Sequence, residues 1–514
     1  MMIRKEINVM WFKRDLRVRD NIALCNAIRE TEKSPDTQLL IIYIFEPSLI
    51  SDPHYDVRHW RFVVESLSSL NSQLSSLDLT DINAETHKEW PDVVVNRNPV
   101  QLSLNDALSG MWIFHGEVLE VFKALVGIYT IKEVFSHEET GLKVTYDRDL
   151  KFAAYCEQFR IKWNQFPNIG VVRKLKNKAQ WLAFWKSDMA TGQQHPDLTR
   201  LIPLVPDEIW FSENKGGPLP ANWFERDDNF QQGGEVMAHF YLDTFLQNRV
   251  RKYTSSVSKP LESVSGCSRL SPYIAWGCLS MRQVHQATLV AKSDAITHDK
   301  DLVVQFNKFL PRLKWQSMFI QEFESQDFME FQNVNSGFEN MVKNVNHENY
   351  VRWSTGLTGY PLVDACMRCL IATGYINFRM RAMLVSFLTH HLFQDWKTGA
   401  KYLASIFTDF EPGLHYAQIQ MQPGMGSQQT VRVYNPIKQS FEHDPDGTFI
   451  RNWVPELVNC SESVIHTPWT MTLMEQDMNK VKIGIDYPHP VVDIVETGNL
   501  ARLKLYKPRI FHKI

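Results

Sequence analysis

Two arginines inside an otherwise apolar helical hairpin constrain this chain more than any other feature. The run Gly374-Tyr-Ile-Asn-Phe-Arg-Met-Arg-Ala-Met383 sets Arg379 and Arg381 among hydrophobic residues, and Asp409 and Glu411 follow in an irregular segment. Upstream, Pro361 suits a first helical turn, Leu362, Ala365, Cys369 and Leu370 fall on or near one face, and Gly374 reads as a helix stop. A second helix carries Met380, Met383, Leu384, Phe387 and Leu388 and is expected to end near Trp396. Guanidinium groups are costly to bury unless an anion meets them. Internal carboxylates, a bound phosphate or an electron-rich cofactor would each serve. Periodicity alone favours the first, an ordinary buried hairpin.

The rest of the chain frames that hairpin. Short apolar runs at residues 7–12, 39–45, 93–95 and 131–135 alternate with helical patterns in the first third. This predicts an α/β domain over residues 1–138 built on a doubly wound parallel sheet. The turn after the first strand, Lys13-Arg-Asp-Leu-Arg-Val-Arg19, holds no glycine. It therefore cannot form the glycine-rich pyrophosphate cradle of a dinucleotide-dependent dehydrogenase. Residues 139–235, with Pro203, Pro206, Pro218 and Pro220, read as a connector between domains. Helical patterns dominate from 236 to 514, which predicts an all-α second domain.

With 514 residues there is ample material for two cores, and a net charge of −3 confines any contact with DNA to a local basic surface. Seven cysteines, an odd number spread through the chain, read as reduced thiols. No run of about 18 apolar residues occurs and no signal peptide opens the chain, so a cytoplasmic protein is expected. Cys366 and Cys369 share a helix face but lack further ligands for a tetrahedral metal, so no metal site is expected there, and His390-His391 reads as core packing.

Three separate strings then narrow the field. Gly359-Tyr-Pro-Leu-Val-Asp-Ala365, the Arg379/Arg381 pair, Asp395-Trp396, Arg432-Val-Tyr-Asn-Pro-Ile-Lys-Gln439 and Asp444-Pro-Asp-Gly-Thr-Phe-Ile-Arg-Asn-Trp-Val-Pro-Glu-Leu457 resemble the flavin domain of the photolyase/cryptochrome family. Met10-Trp-Phe-Lys-Arg-Asp-Leu-Arg-Val-Arg-Asp-Asn-Ile-Ala-Leu24 and Cys267-Ser-Arg-Leu-Ser-Pro-Tyr-Ile-Ala-Trp-Gly277 match the same family in the same order.

The resemblance implies FAD as cofactor. Tyr253, Cys267, Ser268, Arg269, Leu270 and Ser271 correspond to residues that hold its diphosphate, although the family often has Thr where this chain has Cys267. By itself Ser268-Arg-Leu-Ser271 is more simply a helix N-cap. Arg381 and Asp409 match an Arg–Asp pair beside the flavin ring, where a fork-like contact would steady a cation against an anionic ring. Arg379, Phe410 and Glu411 complete the expected cofactor set. Trp315 matches an aromatic wall on which a flipped-out lesion stacks; Arg312, Gln316, Phe378, Met421 and Gln439 fall at substrate or DNA positions.

Several positions depart from the family pattern. Many pyrimidine-dimer photolyases carry Glu where this chain has Arg312, which can contact phosphate or base oxygens but cannot accept a hydrogen bond. His415 stands where repair enzymes usually place Asn facing flavin N5. Ile419 and Met421 replace two tryptophans of the usual photoreduction chain, leaving Trp396, with Trp353 or a tyrosine as an alternative route. Asn377-Phe378 occupies the neighbourhood of the histidines of (6-4) photolyases.

The resemblance thus implies a monomeric flavoprotein acting on UV-damaged DNA. Its activity would be blue-light-driven splitting of pyrimidine dimers, cyclobutane type favoured, by a deoxyribodipyrimidine photolyase-type lyase. The alternative is a cryptochrome-type photoreceptor without repair activity. It also leaves room for an antenna chromophore of the folate or deazaflavin type in the N-terminal domain.

Overall fold

The computed structural model describes residues 4–75, 110–175, 178–335, 346–424 and 432–510. The strand expected at 93–95 lies outside them. The chain divides into two compact units: Met1–Asp243 with Leu270–Ala291, and Thr244–Arg269 with Lys292–Ile514. Among the described residues no helix is long and apolar enough to cross a membrane.

The first unit is built on a five-stranded parallel sheet in the order β3-β2-β1-β4-β5. Its strands are β1 (Lys5–Phe12), β2 (Gln38–Phe45), β3 (Met111–His115), β4 (Tyr129–His137) and β5 (Lys162–Phe166). The helices α1 (Ile22–Glu32), α2 (Val57–Ser75), α3 (Val118–Ile128) and α4 (Lys143–Phe159) intervene. Strands β1 and β2 are nearly continuous apolar runs because helices cover both faces of such a sheet. The short strand β5 falls within the stretch read from sequence as connector; Lys-Trp-Asn-Gln-Phe is a half-buried edge strand without a strong apolar signature.

Order reverses between β1 and β4, where a sheet of this kind takes its ligands at the carboxyl ends of the strands. Here those ends are tied by the chain's own charges. Lys13 Nζ lies 3.2 Å from Asp149, and the buried Arg148 reaches Glu46 and Glu139 at 2.7 Å and Asp149 at 2.8 Å. Asp15, in the glycine-free turn, accepts from the Lys13 N–H and from His137 Nδ1, both at 2.7 Å. Burial pushes Glu46 up to about 7 against the pull of Arg148. Burial also opposes charge on Asp149, but Arg148 and Lys13 outweigh it and hold that carboxyl below its ordinary value.

The second unit is helical. It contains α5 (Lys300–Glu324), α6 (Pro361–Thr373), α7 (Phe378–Ser386), α8 (Trp396–Ile406), α9 (Pro412–Met421), α10 (Pro436–His443) and α11 (Ile494–Ile510). Helix α6 starts at Pro361 and stops at Gly374, whose φ of 69° is the left-handed conformation a glycine adopts without strain. Helix α7 ends earlier than expected. It widens into a π-turn over Phe387–His391, and Trp396 instead opens α8, behind Asp395, whose carboxylate accepts from the Lys397 N–H. Both histidines are buried; His390 Nδ1 lies 2.9 Å from the Ser386 hydroxyl, and His391 Nε2–H donates to the Tyr434 carbonyl at 2.9 Å.

Asp364 in α6 gathers the surrounding chain. It accepts from the backbone N–H and hydroxyl of Thr358, both at 2.7 Å, from the Gly359 N–H at 3.0 Å and from the Tyr487 hydroxyl at 2.5 Å. The Tyr360 hydroxyl donates to the Val492 carbonyl at 2.7 Å, fastening the same C-terminal segment a second time.

Candidate functional site

Asn377 caps α7 through its side chain and fixes where Arg381 emerges. Arg381 Nη2 donates to Asp409 at 2.8 Å, while its Nε donates to the Ile376 carbonyl at 2.9 Å. The expected two-pronged contact with the carboxylate is therefore a single one, because a backbone carbonyl takes the other prong. The ring of Phe407 lies under the guanidinium at 4.0 Å, and both partners are mostly buried.

This pair borders a cleft of about 420 Å³, open mouth included. The sequence-named Phe378, Arg381, Asp409, Phe410, Glu411 and His415 line it, together with Ala382, Val385, Phe407, Leu414, Gln418, Ile419 and Gln422. Glu411 caps α9 by accepting from the Gly413 N–H at 3.4 Å, and Gly413 sits where a side chain would run into the α5 backbone at Ile320. His415 is buried and its Nε2–H donates to the Ala400 carbonyl at 2.9 Å, so one edge of the imidazole is committed to α8. Arg379, by contrast, does not line this cleft. It is half-buried near His443, so the two arginines of the motif point to different surroundings.

A second cluster adjoins through Tyr375. The Arg269 guanidinium lies 3.6 Å from the centre of the Tyr375 ring, and Arg269 itself has a left-handed φ of 58°. Burial pushes Tyr375 up to about 12, although the cations of Arg269 and Arg381 both pull against it. Arg249 donates to the Cys267 carbonyl and, at 3.2 Å, to the Ser268 carbonyl. Burial raises the Cys267 thiol to about 11, so it is a neutral group here. Leu270 and Ser271 belong to the first unit, and the helix that begins at Ser271 is only Ser271–Ala275. Arg249 and Phe407 were not singled out from sequence; one works on backbone carbonyls and the other through a ring face, and neither leaves a motif.

The positions expected to meet substrate are less gathered. Trp315 stands on α5 with 43% of its surface exposed, so it is not a core aromatic. The Arg312 guanidinium packs on it at 4.7 Å. Gln316 and Met421 are half-buried, Phe378 is exposed at the cleft, and Gln439 is buried with its amide donating to Glu442 at 3.1 Å. Tyr253 is buried between Phe245 and Phe309, and burial pushes its phenol up to about 12 despite the neighbouring Arg312.

Trp396 is buried, donates from Nε1 to Asn333 at 2.7 Å and meets the edge of Tyr416 at 6.2 Å. Trp353, also buried, sits 6.0 Å from both Tyr350 and Tyr402. Cys366 and Cys369 are buried free thiols, and the described residues hold no cluster able to bind a metal.

A flat, electron-rich ring needs apolar faces and a cationic edge. The cleft offers both, with Phe378, Val385 and Phe407 beside Arg381, and the cations at Arg249 and Arg269 suit an anionic extension. A flavin dinucleotide fits this donor set.

Comparison with known proteins agrees. The family described as "FAD binding domain of DNA photolyase" matches residues 309–507, and that described as "DNA photolyase" matches residues 8–84. The deoxyribodipyrimidine photo-lyase of Alkalihalophilus pseudofirmus is 25% identical over 498 residues, covering 95% of each chain. Cryptochrome DASH of Gloeobacter violaceus is 26% identical over 508 residues, 95% of this chain and 94% of its own. Among solved structures, the cryptochrome of Synechocystis superposes with a TM-score of 0.79 at 21% identity, over 98% of this chain and 100% of the other. A bacterial class III photolyase from Agrobacterium tumefaciens gives 0.77 at 22% identity, over 99% of both.

Proposed function

Because the chain belongs to the photolyase/cryptochrome family, with relatives named for both activities, we propose that it splits UV-induced pyrimidine dimers in DNA under blue light, cyclobutane dimers foremost. The observation that carries this reading is Trp315. An indole left open to solvent on a helix free of acidic residues between Asp301 and Glu322 is a stacking platform for a base, and a receptor that only changes partners has no use for one. FAD, when bound in its reduced form, supplies on excitation the electron that opens the cyclobutane ring and takes it back afterwards.

The residues of the chain bind and orient. Arg381 keeps a fixed positive charge at the cleft edge, and Asp409 with the Ile376 carbonyl prevents it from turning away. Phe378 and Phe407 supply apolar surface that keeps water from the ring faces. His415, anchored on Ala400, presents an imidazole to the cleft. That imidazole favours a second reading, a photoreceptor, since a titratable neighbour would alter which redox state of the cofactor persists. For an antenna, the carboxyl ends of β1 and β4 do not fit, because the Lys13, Arg148, Glu46, Glu139 and Asp149 groups answer one another there.

The deciding experiment is chromatographic quantification of dimers in oligonucleotides with the reduced, flavin-loaded protein, in blue light and in darkness. Cyclobutane and (6-4) substrates, single- and double-stranded, are compared. Light-dependent loss of cyclobutane dimers is expected. No turnover by a photoreducible flavoprotein would sink repair and leave the photoreceptor.

A further inference from the structure

The middle of α5 carries three cations, Lys308, Arg312 and Lys314, and no acidic residue stands between Asp301 and Glu322. Among the described residues none of the three forms an ion pair. By contrast, Arg148 reaches three carboxylates, Arg282 two, and Arg368 and Arg381 one each. Arg312 instead packs on an uncharged ring, the face of Trp315 at 4.7 Å, with the phenol of Tyr253 nearby. Those neighbours orient the guanidinium without neutralising it.

Spacing places the groups in one line. Lys308 and Arg312 are one turn apart on the same exposed face, and Trp315 lies three residues further on. The stripe is about 10 Å long at 1.5 Å per residue. Two cations followed by an aromatic plate match a strand whose phosphates precede a stacked base.

We propose that Arg312 and Lys308 form a phosphodiester clamp that fixes the nucleic-acid strand beside the base on Trp315. A carboxylate at position 312 would demand a hydrogen-bond donor from the ligand. A guanidinium demands an acceptor, and the second bare cation at Lys308 makes that acceptor the backbone rather than a base edge. Recognition at this point is then blind to sequence and sensitive to salt.

The inference rests on the nucleic-acid reading above, and its test separates the two. Fluorescence anisotropy is recorded with the full flavin-loaded chain and a labelled, undamaged oligothymidylate 16-mer, over a range of salt concentrations. Each phosphate contact contributes about 0.7 to the slope of log K against log salt for single strands. R312A and K308A are each expected to lower the slope by about 0.7. A fourfold rise in salt then costs either variant roughly 2.6-fold less affinity than it costs the parent. R312K, which keeps the charge, should restore the slope. Slopes unchanged in both alanine variants would overturn the clamp while leaving nucleic-acid binding intact. A parent protein that binds no oligonucleotide would overturn both. Arg312 and Lys308 are exposed, so neither variant threatens the fold, and flavin content provides the check.

Discussion

The crevice at the carboxyl ends of β1 and β4 and the cleft beside α7 are both lined with charge, yet they are finished differently. In the first, Arg148 alone meets Glu46, Glu139 and Asp149, and Lys13 shares Asp149. In the second, Arg381 touches a single carboxylate and the cleft stays open. A buried cation answered several times over by its own chain is a structural clasp. One answered once, at the edge of an apolar cleft, keeps charge to offer, as the proposed flavin-binding role of Arg381 requires. In the first unit the charges at the strand ends answer one another; in the second, the cation at the cleft keeps a single carboxylate partner.

Mutations can break that contrast. The largest effect is expected from Arg148→Ala, which leaves Glu46 and Glu139 without their cation and crowded against Asp149. Urea unfolding followed by tryptophan fluorescence should record a loss of about 3–5 kcal/mol. A loss near zero would mean that the clasp is dispensable and that the crevice can be emptied for a ligand. Next comes Arg381→Met. Losing a hydrogen bond to a charged partner costs about 1.5–3 kcal/mol, so FAD binding, followed by fluorescence quenching, should weaken roughly 10- to 150-fold, with a loss in unfolding smaller than that of Arg148→Ala. The opposite pattern, lower stability with unaltered FAD affinity, would make Arg381 another clasp.

Trp315→Ala should lower affinity for a dimer-containing oligonucleotide by about 1–3 kcal/mol while leaving flavin content alone. Equal affinity in gel-shift titrations would remove the stacking platform from the argument. The last test concerns pH. Burial raises the Glu46 carboxyl from 4.5 to about 7. A folded-state value above the unfolded one means that the associated stability is complete below about pH 4.5 and is lost as pH climbs towards 7. Relative to Glu46→Gln, the parent should therefore lose roughly 2–3 kcal/mol between those limits. A difference that grows with pH would show that Arg148 holds the carboxylate charged.

Much of this architecture was legible because burial leaves a mark on composition. Strands β1 and β2 are apolar runs, β4 buries Ile131, Val134 and Phe135 among polar residues, and Pro361 and Gly374 bracket α6 as their backbone preferences require. The polar β5 was not legible, since such an edge strand is defined by the neighbour it pairs with. Strand β3, Met-Trp-Ile-Phe-His, does carry an apolar run and was passed over for the run at 93–95. The pairing of Arg381 with Asp409, 28 residues apart, came from family resemblance; nothing in either segment encodes the other. Resemblance also grouped Arg379 with Arg381, and the helix turned them apart, because residues two apart on a helix do not share a face. The solvent exposure of Trp315 lay beyond composition, which favours burial for an indole.

The bond between Asp364 and Tyr487 spans 123 residues of chain. That distance bears on when the helical unit can set. Until Tyr487 has been synthesised and has returned to α6, the carboxylate lacks one of its donors and burial opposes its charge. Helix α6 can form early, but the core around it closes late, and a ribosome stalled before residue 487 would display a hinge awaiting its pin.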